Sequence, residues 1–285
     1  MSKKILALYG LKWNPFLPDI PLEGIHVTSR IESFCFRIEN GIARDGGIGV
    51  LEGDNGTGKS ITTRVLHARL SKIRDVKVRS LARARCGVAD FYRELGELFE
   101  VPNLKPHNRW CSFSTLRERW EQHIAATLTR PVLIVDEAQD MKAEVFVEMR
   151  ALSSADFDSR CLLGVILAGD KRLGEALKSD DLRPIASRIR TRLAFDAAPR
   201  DDLLTCLKHV LATAGNAKLM TDEVVQALAE HALGNYRQLM HLADALLAAA
   251  AEREAPRIDE KLFFELFQPP AGAKPAPART NGRRK

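Results

Sequence analysis

Apolar positions along the first two thirds of the chain follow two alternating rhythms. Short, nearly unbroken apolar runs occur at residues 47–52, 76–81, 132–135 and 161–168, with a further short one at 191–195. Between them the spacing turns helical: Ile61, Val65, Leu66 and Leu70 share one face, and similar patterns cover 90–99, 115–127 and 142–152. Thr115 followed by Glu118 fits a capping box and sets the expected start of the third of these helices. Strands alternating with helices predict an α/β fold in which a mostly parallel sheet lies between helical layers. Past residue 195 the strand signal stops, and Pro199 opens a series of helices at 201–214, 221–232, 236–250 and 259–267. The expected organisation is an N-terminal segment packing on the core (1–45), an α/β domain (46–197), a small all-helical lid (198–268) and a disordered basic tail (269–285).

Composition narrows the function classes. With 45% hydrophobic and 28% charged residues, and no apolar run near the roughly 20 residues that span a bilayer, the chain reads as soluble, without a membrane partner. Its first residues lack a cleavable leader pattern, which predicts a cytoplasmic protein. Five scattered cysteines have no paired spacing, so neither a zinc site nor a redox pair is expected. The net charge of +6 is mostly the tail's: Lys274, Arg279, Arg283, Arg284 and Lys285 stand there without an acid. Within the nearly neutral body, one stretch is locally basic. Arg64, Arg69, Lys72, Arg74, Lys77, Arg79, Arg83 and Arg85 face only Asp75.

The candidate chemistry sits where the first strand meets the next helix. Gly53, Asp54, Asn55, Gly56, Thr57, Gly58, Lys59 and Ser60 match a phosphate loop at every fixed position: glycine, four residues, glycine, lysine, serine. Glycines there let backbone N–H groups converge on phosphates at a helix N-terminus, and Ile61 follows in the first turn. Lys59 is expected to reach the β- and γ-phosphates of ATP, and Ser60 to ligate Mg2+. The strand at 132–135 ends in Asp136-Glu137, 77 positions beyond Lys59. Asp136 is assigned to Mg2+ and Glu137 to orienting the attacking water. Asp170, closing the strand at 161–168, is placed to sense the γ-phosphate. Arg183, Arg188, Arg190 and Arg192 cluster near the end of the α/β domain, and Arg237 opens a lid helix that folds back over the nucleotide.

This set of motifs resembles the AAA+ ATPases, and more narrowly the ExeA-like branch that includes the transposition regulators TniB and TnsC. Carrying the likeness are Tyr9-Gly10-Leu11-Lys12-Trp13-Asn14-Pro15-Phe16, Asp136-Glu137-Ala138-Gln139 and Leu167-Ala168-Gly169-Asp170, where Asp170 stands in place of the usual Gln or Thr. The resemblance implies an arginine finger at Arg188, with Arg183 and Arg190 as alternatives, and a second sensor at Arg237. It also implies ATP-driven self-assembly into a ring or helical filament, with slow hydrolysis stimulated by assembly or DNA.

Function follows as an expectation from the resemblance and the basic stretch together. The leading reading is a regulator of DNA transposition that assembles on duplex DNA and recruits a transposase, hydrolysis driving disassembly. Lys77, Arg79, Arg83 and Arg85 would grip phosphates without reading sequence. The alternatives are a secretion-assembly ATPase, from which the lack of a membrane span and a cell-wall-binding part points away, and a replication initiator or helicase loader. A helicase is set aside because no second motor domain follows residue 195.

Overall fold

The computed structural model describes residues 3–102, 104–156 and 160–267. The expected tail at 269–285 lies outside them. The chain opens with α1 (Lys3–Tyr9), a 3-10 turn (Leu22–Gly24) and α2 (Ser29–Arg37), which continues through a π-helical turn (Ile38–Ile42) into α3 (Ala43–Asp45). The α/β part comprises β1 (Gly47–Gly53), α4 (Lys59–Leu70), β2 (Val76–Leu81), α5 (Val88–Leu98), α6 (Arg109–Thr127), β3 (Arg130–Val135) and α7 (Ala143–Ser153). It ends with β4 (Ser154–Ala155), β5 (Arg160–Cys161), β6 (Gly164–Gly169), α8 (Lys171–Ala176), α9 (Arg183–Ala186) and β7 (Ile189–Phe195). Four helices follow among the described residues: α10 (Arg200–Ala214), α11 (Asp222–His231), α12 (Tyr236–Glu252) and α13 (Glu260–Phe267).

Five strands form one parallel sheet in the order β2-β3-β6-β1-β7. Its central strands are apolar on both faces because both are covered. Leu51, Val132, Ile134, Ile166 and Ala168 face α2, α4 and the lid, whereas Val50, Leu133, Val135, Val165 and Leu167 face α5 to α9. The period of two along each strand sorts the side chains into these two cores. The lid has no core of its own: its buried leucines are continuous with those on the α2 and α4 side.

Three local expectations change. The run at 161–168 is not one strand, since Arg160–Cys161 pairs antiparallel with Ser154–Ala155 and only Gly164–Gly169 joins the main sheet. The chain turns between them because the Cys161 thiol accepts a hydrogen bond from Gly47 N (3.1 Å) and Arg130 holds the Cys161 carbonyl (2.8 Å). Helix α6 begins at Arg109, six residues before Thr115, because the Asn108 side chain accepts from Cys111 N and caps it there. The N-terminal segment, expected on the core, divides its contacts. Lys12 N donates to Ala214 O (2.8 Å), Asn216 Nδ2 to Tyr9 O (2.8 Å) and Asn14 Nδ2 to Asp244 (2.8 Å), so residues 9–16 cover the lid, while α2 covers the sheet. Among the described residues no helix is long and apolar enough to cross a membrane.

Candidate nucleotide-binding site

The loop between β1 and α4 closes around its own lysine. Lys59 is 5% exposed, and its Nζ donates to the carbonyls of Gly53 (2.7 Å) and Asp54 (3.0 Å). Thr57 Oγ1 donates to Asp54 O (2.7 Å), pinning the same turn. Gly53 has no room for a side chain: a Cβ there would stand 2.7 Å from that of Phe195. Gly58 has space around it but adopts φ 109°, the left-handed region, to start α4. A buried ammonium satisfied only by neutral carbonyls, beside the open first turn of a twelve-residue helix, is a site prepared for anionic oxygens.

The acid pair stands two strands away, with β6 between β3 and β1. At a strand spacing of about 4.8 Å this leaves roughly 10 Å between the loop strand and the acidic strand. Asp136 accepts from Glu137 N (3.0 Å), and Glu137 takes φ 52°, a left-handed conformation uncommon for a residue with a side chain. Glu137 lines the same cavity as Lys59 and Ser60; Asp136 and Asp170 do not. Asp170, expected to sense the γ-phosphate, caps the N-terminus of α8 in this structure. Its carboxylate accepts from Arg172 N and Nε, both at 2.8 Å, and the Arg172 guanidinium holds it below the usual carboxylate range. Gln139 spans the gap instead, its Oε1 accepting from Asp170 N (3.1 Å) and its Nε2 donating to Glu137.

The cavity, about 630 Å3, has three walls: loop residues 55–61, N-terminal residues 15–18 with Ile20, Ile25 and His26, and lid residues from α10 and α12. That volume lies in the range of about 300–1,000 Å3 usual for ligand pockets. Its phosphate-loop end is polar. Its N-terminal and lid walls add the apolar Ile25, Val210, Met240 and Tyr236, surfaces suited to a planar base, together with the polar Asp202, His241 and Asp244. Burial, then the neighbouring His209, pushes the His26 pKa down, with Asp202 opposing, while burial first and then Asp202 pushes the Cys206 thiol up to about 12. The N-terminal wall is strapped to α4 by Arg64, which donates to the carbonyls of Pro18 (3.0 Å) and Ile20 (2.5 Å). These features fit ATP. Ser60 on the first turn of α4 and Asp136 at the strand end suit Mg2+, which takes few protein ligands and completes its shell with phosphate and water.

From the lid, Arg237 lines the cavity, and its guanidinium makes no hydrogen bond or ion pair with another described residue. The lid also grips the loop through its backbone. Gly56 O accepts from Tyr236 N (2.9 Å) and Arg237 N (3.4 Å), Asn235 Nδ2 donates to Asn55 O (2.9 Å), and Lys171 reaches Asp54 (2.6 Å) from α8. The arginine-finger candidates are not brought to this cavity. Arg188 precedes β7, whose far end Phe195 is level with Gly53, so it stands about 23 Å from its own loop at about 3.3 Å per residue. Arg183 pairs with Asp180 (2.6 Å) and Arg190 with Asp45 (4.0 Å).

The basic stretch comes apart in three dimensions. Arg64 is the strap, and Arg69 pairs with Glu32 (2.5 Å) and Glu39 (3.6 Å). Lys77 and Arg79, expected on a DNA-facing surface, fold against the end of α5. Lys77 meets Glu100 (3.2 Å), and Arg79 donates to Leu98 O (2.8 Å), because the edge strand β2 turns both side chains toward those acceptors. Only Arg83 and Arg85 stay exposed and unpartnered among the described residues of that expected set. Arg64, Gln139, Lys171 and Asn235 were not legible as site residues. Asn235 carried a local signal, a helix-capping side chain just before Arg237.

Residues 42–177 match the AAA_22 family, an AAA domain. General secretion pathway protein A of Aeromonas hydrophila is 26% identical over 251 residues, covering 88% of this chain and 45% of that protein, so the chain spans less than half its relative's length. Among solved structures, Cdc6p of Pyrobaculum aerophilum superposes with TM-score 0.67 at 16% identity, over 86% of this chain and 67% of that one. The ORC2 protein of Aeropyrum pernix gives 0.68 at 14% identity, over 88% and 70%. At such identities the likeness is one of fold: a P-loop AAA+ sheet between helices, followed by a helical region.

Proposed function

We propose that this AAA+ chain binds Mg2+-ATP in the three-walled cavity and hydrolyses it as an assembly switch. The carrying observation is the buried Lys59 ring opening into one cavity with Glu137 from β3 and Arg237 from the lid. Lys59 trades its two carbonyl partners for phosphate oxygens, and Glu137 orients the attacking water. Ser60 and Asp136 would hold Mg2+, which would supply charge neutralisation of the phosphates. Arg237 adds a cation from the lid, so closure and phosphate contact are linked. The position of Arg188 a strand's length from its own loop supports service to a neighbouring subunit's nucleotide, in a head-to-tail assembly.

The biological setting that draws most support is work in a secretion pathway, since one relative is named General secretion pathway protein A. A second reading, action on duplex DNA, is favoured by the unpartnered Arg83 and Arg85 on the loop after β2 and by the fold shared with ORC1 of Aeropyrum pernix, solved in complex with DNA. Within it, an initiator or loader role stands ahead of transposase regulation, because the relatives found carry replication and secretion names. The test is steady-state hydrolysis and sedimentation with ATP, with and without duplex DNA. Glu137→Gln is expected to abolish hydrolysis while keeping ATP binding and the larger species. Stimulation by DNA, lost in Arg83→Ala/Arg85→Ala, would select the DNA reading. Unchanged mass and no hydrolysis in the native chain would refute the switch.

A further inference from the structure

The phosphate loop has a glycine that its own motif does not require. Gly56 occupies one of the four free positions, yet a Cβ there would stand 2.1 Å from Asn235 Oδ1 and 2.7 Å from its Cγ and Nδ2. Those atoms cannot swing aside cheaply. The Asn235 carboxamide is committed at both ends, accepting from Gln238 N (3.1 Å) to cap α12 and donating to Asn55 O (2.9 Å) to hold the loop. Immediately beyond it, Gly56 O accepts from the first two N–H groups of α12, which otherwise lack partners at a helix start. At the other side, Gly234 packs against Ala197, where a Cβ would come within 2.7 Å, and its carbonyl accepts from Ala198 N (2.8 Å). The start of α12 is therefore seated between the loop crown and the chain that leaves β7.

We infer that Asn235 is a positioning residue for the nucleotide: it fixes the crown of the phosphate loop and the start of α12 as one unit, so that the loop's shape sets where Arg237 enters the cavity. Gly56 is required by the lid and not only by phosphate. The inference rests on the nucleotide reading above and deepens it. Its physical content is a coupling between two positions 179 apart in sequence, Gly56 and Asn235, which a double-mutant cycle isolates.

The experiment measures ATP and ADP affinity by calorimetry and thermal stability without nucleotide, for Asn235→Ser, Asn235→Gly, Gly56→Ala and Gly56→Ala/Asn235→Gly. Serine still caps α12 but is too short to hold Asn55, so stability should drop by no more than about 3 °C while ATP binds about five- to tenfold more weakly. Gly56→Ala should weaken ATP by about 100-fold in the native background. In the Asn235→Gly background it should do so by only about tenfold, the cost of holding Ala in the left-handed backbone of Gly56 (φ 83°). Wild-type affinity in Asn235→Ser, or equal losses from Gly56→Ala in both backgrounds, would overturn the inference. The stability cycle needs no nucleotide, so coupled stabilities in a protein that binds neither ATP nor ADP would sink the nucleotide reading and leave the loop–lid contact standing.

Discussion

Removing the Arg64 side chain separates two roles that its charge alone does not distinguish. Arg64 lies in the basic stretch that suggested DNA contact, yet its guanidinium is spent on the carbonyls of Pro18 and Ile20 in the N-terminal wall of the cavity. Hydrogen bonds from a charged donor contribute about 1.5–3 kcal/mol each when buried, and the Pro18 contact is exposed, so Arg64→Ala should cost the docked strap about 2 kcal/mol in all. That shifts the ratio of docked to undocked strap by about 30-fold, which is the ceiling on the loss of ATP affinity if the undocked form does not bind. Arg64→Lys keeps the charge but not the paired donors, and should recover little. Calorimetry with ATP, run beside duplex-DNA binding at one fixed salt, reads both. ATP affinity within twofold of the native value together with weakened DNA binding would refute this assignment.

Three further outcomes are expected. If duplex DNA binds through the loop after β2, Arg83→Ala/Arg85→Ala should make the slope of log K against log salt shallower by about 1.8, whereas Lys77→Ala/Arg79→Ala should leave the slope unchanged. Gln139→Ala should lower kcat about tenfold with KM for ATP unaltered, because it frees Glu137 and the end of β6 without touching the loop; a changed KM would argue against that role. His26 is held below its ordinary value by burial and His209, so the unfolded chain takes the proton first. Its contribution is complete above about pH 6.5 and declines as pH falls toward the folded value, so melting temperatures of the native protein should fall more steeply between pH 7 and 5 than those of His26→Gln.

What was legible in the sequence was what depends on neighbours in the chain. The loop around Lys59 is held by bonds within six residues, and the Val132–Val135 run reads as a strand because both of its faces are buried. Side chains whose partners come from afar were not legible. Lys77 and Arg79 look like free charges until α5 brings Glu100 beside them, and Arg64 looks like its neighbours until residues 18–20 cross its path. The Thr115 and Glu118 pair matched a capping box, but Asn108 supplied a cap earlier and the helix ran through both. Asp170 sits at the expected strand end, yet the adjacent Arg172 captured its carboxylate.

The placement of β1 between β6 and β7 has a consequence for how the protein is made. Gly47 finds its sheet partner Gly164 117 residues later, and Ile48 finds Ile189 141 residues later. At about 5–20 residues per second on the ribosome, the first interval lasts roughly 6–23 s. Until it ends, an apolar strand and the glycine loop attached to it have no edge to pair with. Such long-range parallel pairing is slow to form and leaves hydrophobic surface open to other nascent chains. Conditions that slow translation between residues 53 and 164 should therefore lower the soluble yield, even though the finished sheet buries every residue of that strand but Glu52.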